Sequence, residues 1–209
     1  ILDVGGESTR PAFGARLEAR RFGAQWGHEV GMVTAEEELS RVVPVVERLT
    51  REVDVPISVD TYKSEVARRA LEAGASILND VWGLKADPDI AIVAAEHNVP
   101  LILMHNQRGT HYENLMADIR ASLETSVRQA VAAGVRQQNI VLDPGFGFGK
   151  LPVHNLEVLR RLRELRELGY PLLVGTSRKS TIGLVLDLPV QERVEGTAAT
   201  VAIAIANGA

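Results

Sequence analysis

Along this chain, short apolar runs alternate with longer segments whose apolar residues recur every three or four positions, and that alternation constrains the fold more than any other feature. Strands are expected at residues 1–4, 56–59, 76–79, 100–104, 140–143 and 171–174, and helices at 35–51, 63–73, 89–97, 118–133, 155–168 and 190–206. In 35–51, Leu39, Val42, Val43, Val46 and Leu49 share one face. Glu36, Glu37 and Glu38 fall in its first turn, where the helix dipole favours negative charge. Strict strand–helix alternation with short connections means parallel strands joined by helical crossovers. An open doubly wound sheet and a (β/α)8 barrel both satisfy that pattern, and the polar residues separate them. Asp3, Asp60, Asn79, His105 and Asp143 each stand at or just past the C-terminal end of a different strand. Residues from many strand ends converge on one ligand when the strands close around it, whereas an open sheet gathers its ligand at one switch point. The expected class is α/β, a (β/α)8 TIM-type barrel, as a single domain over residues 1–209.

Composition narrows the function. At 209 residues the chain supports one domain with a substantial core and leaves too little for two. With 45% hydrophobic residues and a net charge of −4, disorder is excluded, and no basic field is available for nucleic acid. No apolar run approaches the roughly 18 residues of a membrane span. The absence of cysteine removes disulfides, thiol catalysis and Cys-based zinc sites together. Neither a basic n-region nor a small-residue cleavage site precedes the first strand, so a cytoplasmic domain is expected. Both ends read as cut from something longer: a strand begins at Ile1, and the apolar run 198–206 stops at Asn207-Gly208-Ala209, where Gly hands over to another element.

Four segments carry candidate chemistry. Gly5-Gly6-Glu7-Ser8-Thr9-Arg10-Pro11 follows a strand and offers a hydroxyl and a forked cation, although an ordinary capped βα loop reads the same way. Ser58-Val59-Asp60-Thr61 and Ile77-Leu78-Asn79-Asp80 end apolar strands in acids and an amide. A helix cap accounts for Asp60 or Asp80 singly, whereas Asn79 at a buried strand end needs a specific partner. Asp143-Pro144-Gly145-Phe146-Gly147-Phe148-Gly149-Lys150 suggests close backbone approach to a ligand, with Phe146 or Phe148 against a flat ring. Gly175-Thr176-Ser177-Arg178-Lys179-Ser180 places two cations among hydroxyls at a strand-to-helix turn, an anion or ring-heteroatom site without the glycine spacing of a Walker A loop. His105 alone reads as structural, and His28, His97, His111 and His154 as surface residues. Together these groups suit a flat polar heterocycle held by carboxylates and an amide, with cations and hydroxyls for an anionic co-substrate.

In order and spacing, ILDVGGESTRP, SVDTYKSEVARRALEAGASILNDV, LILMHN, IVLDPGFGFGK, LLVGTSRKS and RVEGTAATVAIAIANGA resemble the dihydropteroate synthases, the pterin-binding sulfonamide targets of folate biosynthesis. The resemblance covers the chain except residues 12–32. It implies a (β/α)8 barrel that joins 4-aminobenzoate to (7,8-dihydropterin-6-yl)methyl diphosphate, with Mg2+ and release of diphosphate. By matching segments, Asp60, Asn79, Asp143 and Lys179 would hold the pterin, with Met104 packing nearby. Thr9, Arg10 and Pro11 would belong to a loop closing over the diphosphate and the benzoate. Gly175 lies in the substrate-binding set, and Phe148, Lys179 and Ser180 would line the benzoate pocket. Lys179, Asp60 and Arg10 are the residues it marks as catalytic. The implied mechanism is SN1-like: diphosphate departs and the arylamine attacks a pterin-methyl cation. Homodimers and inhibition by sulfonamides are implied as well.

The chain departs from the family pattern in three places. The first family strand, whose loop supplies the metal-binding Asn, and the last, whose Arg and His bind diphosphate, fall outside residues 1–209, so the strands here are expected to be the second to seventh of eight. No metal ligand is expected within the chain, which by itself is expected to be catalytically dead or nearly so. Residues 12–32 read as an insertion projecting over the site. Two alternatives share the fold: a methyltetrahydrofolate-binding methyltransferase domain and a non-catalytic pterin-binding remnant.

Overall fold

The computed structural model describes residues 1–7 and 33–209. Five parallel strands, β1 (Leu2–Gly5), β2 (Ile57–Asp60), β3 (Ile77–Asp80), β4 (Leu101–Met104) and β5 (Ile140–Asp143), pair in chain order. Seven α-helices follow: α1 (Ala35–Glu52), α2 (Ser64–Glu72), α3 (Asp89–His97), α4 (Leu115–Ala132), α5 (Pro152–Arg161), α6 (Ser180–Leu186) and α7 (Val194–Ala206). Parallel crossovers are right-handed, so a strand order that never reverses puts every connecting helix on the same face. That face is dry: Ile57, Val59, Leu78, Leu101, Leu103, Ile140 and Leu142 are all buried, each contributing about 1.5–3 kcal/mol. Successive helices pack against one another in chain order, from α1 on α2 through α5 on α6 and α7. This is the wall of a β/α barrel, and the doubly wound alternative, which needs a reversal of strand order, is excluded.

The expected sixth strand at 171–174 is a correction. Only an isolated bridge forms there, Leu142 with Leu172, made by Leu142 N–H donating to the Pro171 carbonyl and Leu173 N–H donating to the Leu142 carbonyl, each at 2.9 Å. Pro171 lacks an N–H, and Gly169 turns the chain at φ 81° just before it, so the ladder stops at two bonds.

Helix boundaries differ for local reasons. Asn114 caps α4 by accepting from Ala117 N–H at 3.2 Å, so that helix begins three residues before the expected 118. Pro152 opens α5 at its first position. The expected helix 155–168 tightens to a 3-10 helix over Leu162–Leu168, because Leu162, Leu165 and Leu168 recur at threes and line up only with three residues per turn. Segment 190–206 divides into a 3-10 turn, Val190–Glu192, and α7. Helix α6 was not anticipated as a separate element. In α1, Val42 and Val46 are buried as expected, but so is Glu38, which is more than a dipole-compensating charge.

Candidate active site

Register, not sequence distance, assembles the site. Partners in a parallel ladder share a face, and so do residues two apart on one strand. Gly5 pairs with Asp60, Asp60 with Asn79, Asn79 with Ile102, and Met104 with Asp143. Asp60, Asn79, Met104 and Asp143 therefore lie on one face, opposite the helix-covered face and at the C-terminal ends of their strands. Asp3, paired with Ser58, belongs to the same face one layer lower.

The polar groups there are tied to one another. Ser58 Oγ donates to one Asp3 carboxylate oxygen, and Asn79 Nδ2 donates to the other at 3.2 Å. Asn79, half-buried, thus finds a partner in the exposed Asp3. Burial, with the nearby charges of Asp3, Glu38 and Asp80, raises Asp60 to about 7, against a weaker lowering by Lys179. Asp143 is buried, and burial pushes its carboxyl up despite a 2.7 Å hydrogen bond from Gly145 N–H. Among the described residues, no backbone N–H donates to its second oxygen. Asp80 has the structural role instead. It faces the helix side, accepts from Trp82 N–H at 2.8 Å and Leu84 N–H at 2.6 Å, and is raised by burial to about 6.

The glycine-rich loop after β5 separates its two phenylalanines. Phe146 is 1% exposed and belongs to the core, whereas Phe148 is half-buried. Lys179 Nζ donates to the Phe146 carbonyl and lies 4.3 Å from the Phe148 ring centroid, a cation–π contact. Gly147 makes that approach feasible: at φ 84° it sits where a Cβ would stand 2.6 Å from Lys179 Cδ. Gly147→Ala is therefore expected to cost about 1–2 kcal/mol of stability, through left-handed backbone strain, and to push Lys179 off Phe148. Urea melts, with the Phe148 ring shifts by NMR, check both effects.

The two cations of the last segment do not act as a pair. Arg178, at φ 51°, turns the other way: its Nε donates to the Val190 carbonyl and its N–H to Thr197 Oγ1, each at 3.0 Å. It holds the segment before α7. Ser180 is partly buried at the start of α6, Gly175 is exposed with open space around it, and Met104 is buried. Ser8, Thr9, Arg10, Pro11, His28 and the expected insertion 12–32 lie outside the described residues.

Three supporting groups were not singled out from the sequence. Lys150, which ends the glycine loop, is buried and donates from Nζ to the carbonyls of Gly145 at 3.1 Å and Phe148 at 3.2 Å. Burial lowers it to about 7, with Asp143 opposing that shift. Tyr112 donates to the Gly149 carbonyl at 2.9 Å and lies 3.2 Å from His105 Nε2, which assigns the ring proton to Nε2. Burial and the charges of Lys150 and Lys85 push His105 down to about 2, so it is neutral and structural, as expected. Gly145 is packed so tightly on this unit that a Cβ would fall 1.9 Å from the His105 carbonyl oxygen. His154, expected at the surface, packs its ring edge-on against Tyr112 at 5.2 Å. The third group is an ion network, with buried Glu38 and Glu7 both accepting from Lys63, which pins the exit of β1 to α1 and to the exit of β2. A lysine closing a glycine run, and a Glu inside an apolar helix stripe, were the available sequence signals.

Known proteins resemble this chain over nearly its whole length. The family described as pterin binding enzyme matches residues 22–209. A dihydropteroate synthase of Clostridium beijerinckii is 52% identical over 205 residues, covering 98% of this chain and 70% of that protein. Among solved structures, a dihydropteroate synthase from Clostridium difficile, crystallised in the presence of pteroic acid, superposes with a TM-score of 0.88 at 47% identity, covering 99% of this chain and 72% of that one. The Xanthomonas albilineans dihydropteroate synthase with 4-aminobenzoic acid gives a TM-score of 0.88 at 39% identity, covering 100% of this chain and 70% of that one. With half its residues shared and its strand-end groups gathered on one barrel face, the chain belongs to the dihydropteroate synthase family of pterin-binding transferases.

Proposed function

We propose that the inner face of this barrel wall grips the pterin of (7,8-dihydropterin-6-yl)methyl diphosphate through Asp60, Asn79 and Asp143, and that Phe148, Lys179 and Ser180 hold 4-aminobenzoate beside it. The observation that carries the reading is the register, which places Asp60, Asn79 and Asp143 on one face with Met104 beside Asp143. A pterin presents ring and exocyclic N–H donors along one edge, and carboxylates with spare oxygens are their natural acceptors. Buried Met104 supplies an apolar, polarisable contact for a flat ring. Lys179 stands between the two subsites, within reach of the glycine loop, and its ammonium suits a ring carbonyl or nitrogen on one side and the benzoate carboxylate on the other. The family reaction breaks the carbon–oxygen bond to diphosphate and forms a carbon–nitrogen bond to the arylamine. In a largely dry site, fixed carboxylates beside the developing pterin-methyl cation stabilise it without reorganising.

Arg10, Thr9 and Pro11 complete the reading as the loop over the diphosphate. Mg2+ would assist departure of diphosphate in the family reaction. Among the described residues no group of three or more His, Asp or Glu is placed to hold a metal ion. Sulfonamides, as aryl-amine mimics of 4-aminobenzoate, would compete at Phe148 and Lys179. A homodimer and a cytoplasmic location belong to the same reading; among the described residues no helix is long and apolar enough to cross a membrane.

Calorimetry with a pterin, followed by a diphosphate-release assay with both substrates, tests the proposal. Pterin binding is expected for the parent, reduced about tenfold or more in Lys179→Met through loss of a charged hydrogen bond. Equal binding by parent and Lys179→Met would remove Lys179 from the site.

A further inference from the structure

We infer that Asn155 is a positioning residue that sets the gap between the two walls of the benzoate pocket, an inference that rests on the pocket assignment above. The walls come from separate parts of the chain: Phe148 from the loop after β5, and Lys179 with Ser180 from the start of α6. Asn155, in the first turn of α5 and 2% exposed, lies between them. Its Oδ1 accepts from the N–H of Gly147, the residue before Phe148, at 2.8 Å. Its Nδ2 donates to Thr181 Oγ1, the residue after Ser180, at 2.9 Å, and to the Leu151 carbonyl at 3.2 Å. One carboxamide therefore holds the neighbour of each wall.

The bond to Leu151 is local to α5, but the other two cross to different elements. A buried Asn needed only for its own helix would not require them. Asp would keep the acceptor and lose both donors, and Leu would lose all three bonds. Thr181 is itself 2% exposed, so water cannot replace the missing partner at that end. The gap is also narrow, because Gly147 lacks room for a Cβ against Lys179. A shift of either loop relative to the other would displace Phe148 from Lys179 while Asp60, Asn79 and Asp143, fixed by the β-ladder and by Gly145, stay in place.

The test compares the affinity of the protein for pterin and for pteroate, which adds the aminobenzoate, by calorimetry. The ratio of the two dissociation constants reads the benzoate pocket, and pterin alone reads the rest. Asn155→Ala and Thr181→Val are expected to reduce the advantage of pteroate over pterin by about tenfold, the effect of one lost buried hydrogen bond, with a smaller loss for pterin itself where the shift reaches Lys179. Thr181→Ser, which retains the hydroxyl, should restore the parental ratio. Thr181→Val replaces a hydroxyl by a methyl of similar shape, so it keeps the test open where Asn155→Ala fails to fold. A parental ratio in Thr181→Val and Asn155→Ala, with the ratio lowered in Phe148→Ala, would overturn the role of Asn155 and leave the pocket standing. A parental ratio in Phe148→Ala as well would overturn the pocket and the inference together. Equal losses for pterin and pteroate, unrescued by Thr181→Ser, would make Asn155 merely structural and also overturn it.

Discussion

Asp143→Asn is expected to weaken pterin binding by about 1.5–3 kcal/mol, roughly ten- to a hundredfold, while leaving the fold at least as stable as the parent. The geometry makes the substitution selective. One Asp143 oxygen already accepts from Gly145 N–H, and an asparagine can keep that bond through its Oδ1. The amide NH2 then stands where the second carboxylate oxygen faced the ligand, presenting donors to donors. Folding does not share the loss, because burial disfavours the charge that the substitution removes. Lys150 and Lys179, the nearby ammonium groups, keep their carbonyl acceptors on the glycine loop. Calorimetry for the ligand and denaturant melts for the fold separate the two effects. Parental affinity would show that Asp143 does not hold the pterin.

Asp60→Asn should raise stability and abolish function in the same molecule. Asp60 sits at about 7 in the folded chain, against 3.8 ordinarily, because burial and the charges of Asp3, Glu38 and Asp80 outweigh Lys179. Between pH 4 and 7 the folded state then retains a proton that the unfolded state has released, so this group's contribution to stability falls as pH rises through that window and stays low above it. Asparagine removes the dependence. The variant should match the parent near pH 4 and melt several degrees higher at pH 8. Lys150, lowered to about 7, acts in the opposite window: its contribution rises from pH 7 toward its ordinary value of 10.5. It is common to both proteins and cancels in the difference. Pterin affinity of the parent should rise from pH 6 to 8 as Asp60 ionises and becomes an acceptor, and that rise should vanish in Asp60→Asn. Equal melting temperatures across the range, or a parent whose affinity ignores pH, would remove Asp60 from this role.

How far the sequence disclosed all this varies element by element. The strands β1 to β5 were legible because their apolar runs end in polar residues and are bounded by turn formers. The barrel was legible because Asp60, Asn79 and Asp143 stand at or beside the ends of different strands, although Asp3 lies inside β1, one layer lower. The bridge at 171–174 was not, since an apolar run says nothing about how many backbone bonds its neighbours supply. Arg178 and Lys179 look alike in sequence and point apart in space because Arg178 takes a left-handed backbone. Phe146 and Phe148 are two residues apart in the same loop, yet one enters the core and the other edges the site. Glu38, Asn155 and Lys150 were missed for a shared reason. Their partners, Lys63, Thr181 and the loop carbonyls, are brought to them only by packing, and a buried polar residue carries no periodic signature.

The most direct test is a crystal of this protein soaked with a pterin. The account places the ring on the inner face of the barrel wall, with its N–H edge bonded to Asp60, Asn79 and Asp143, its face on Met104 and Lys179 within hydrogen-bond distance. A pterin bound elsewhere, or bound here with the Asp143 and Asp60 carboxylates unengaged, would contradict it.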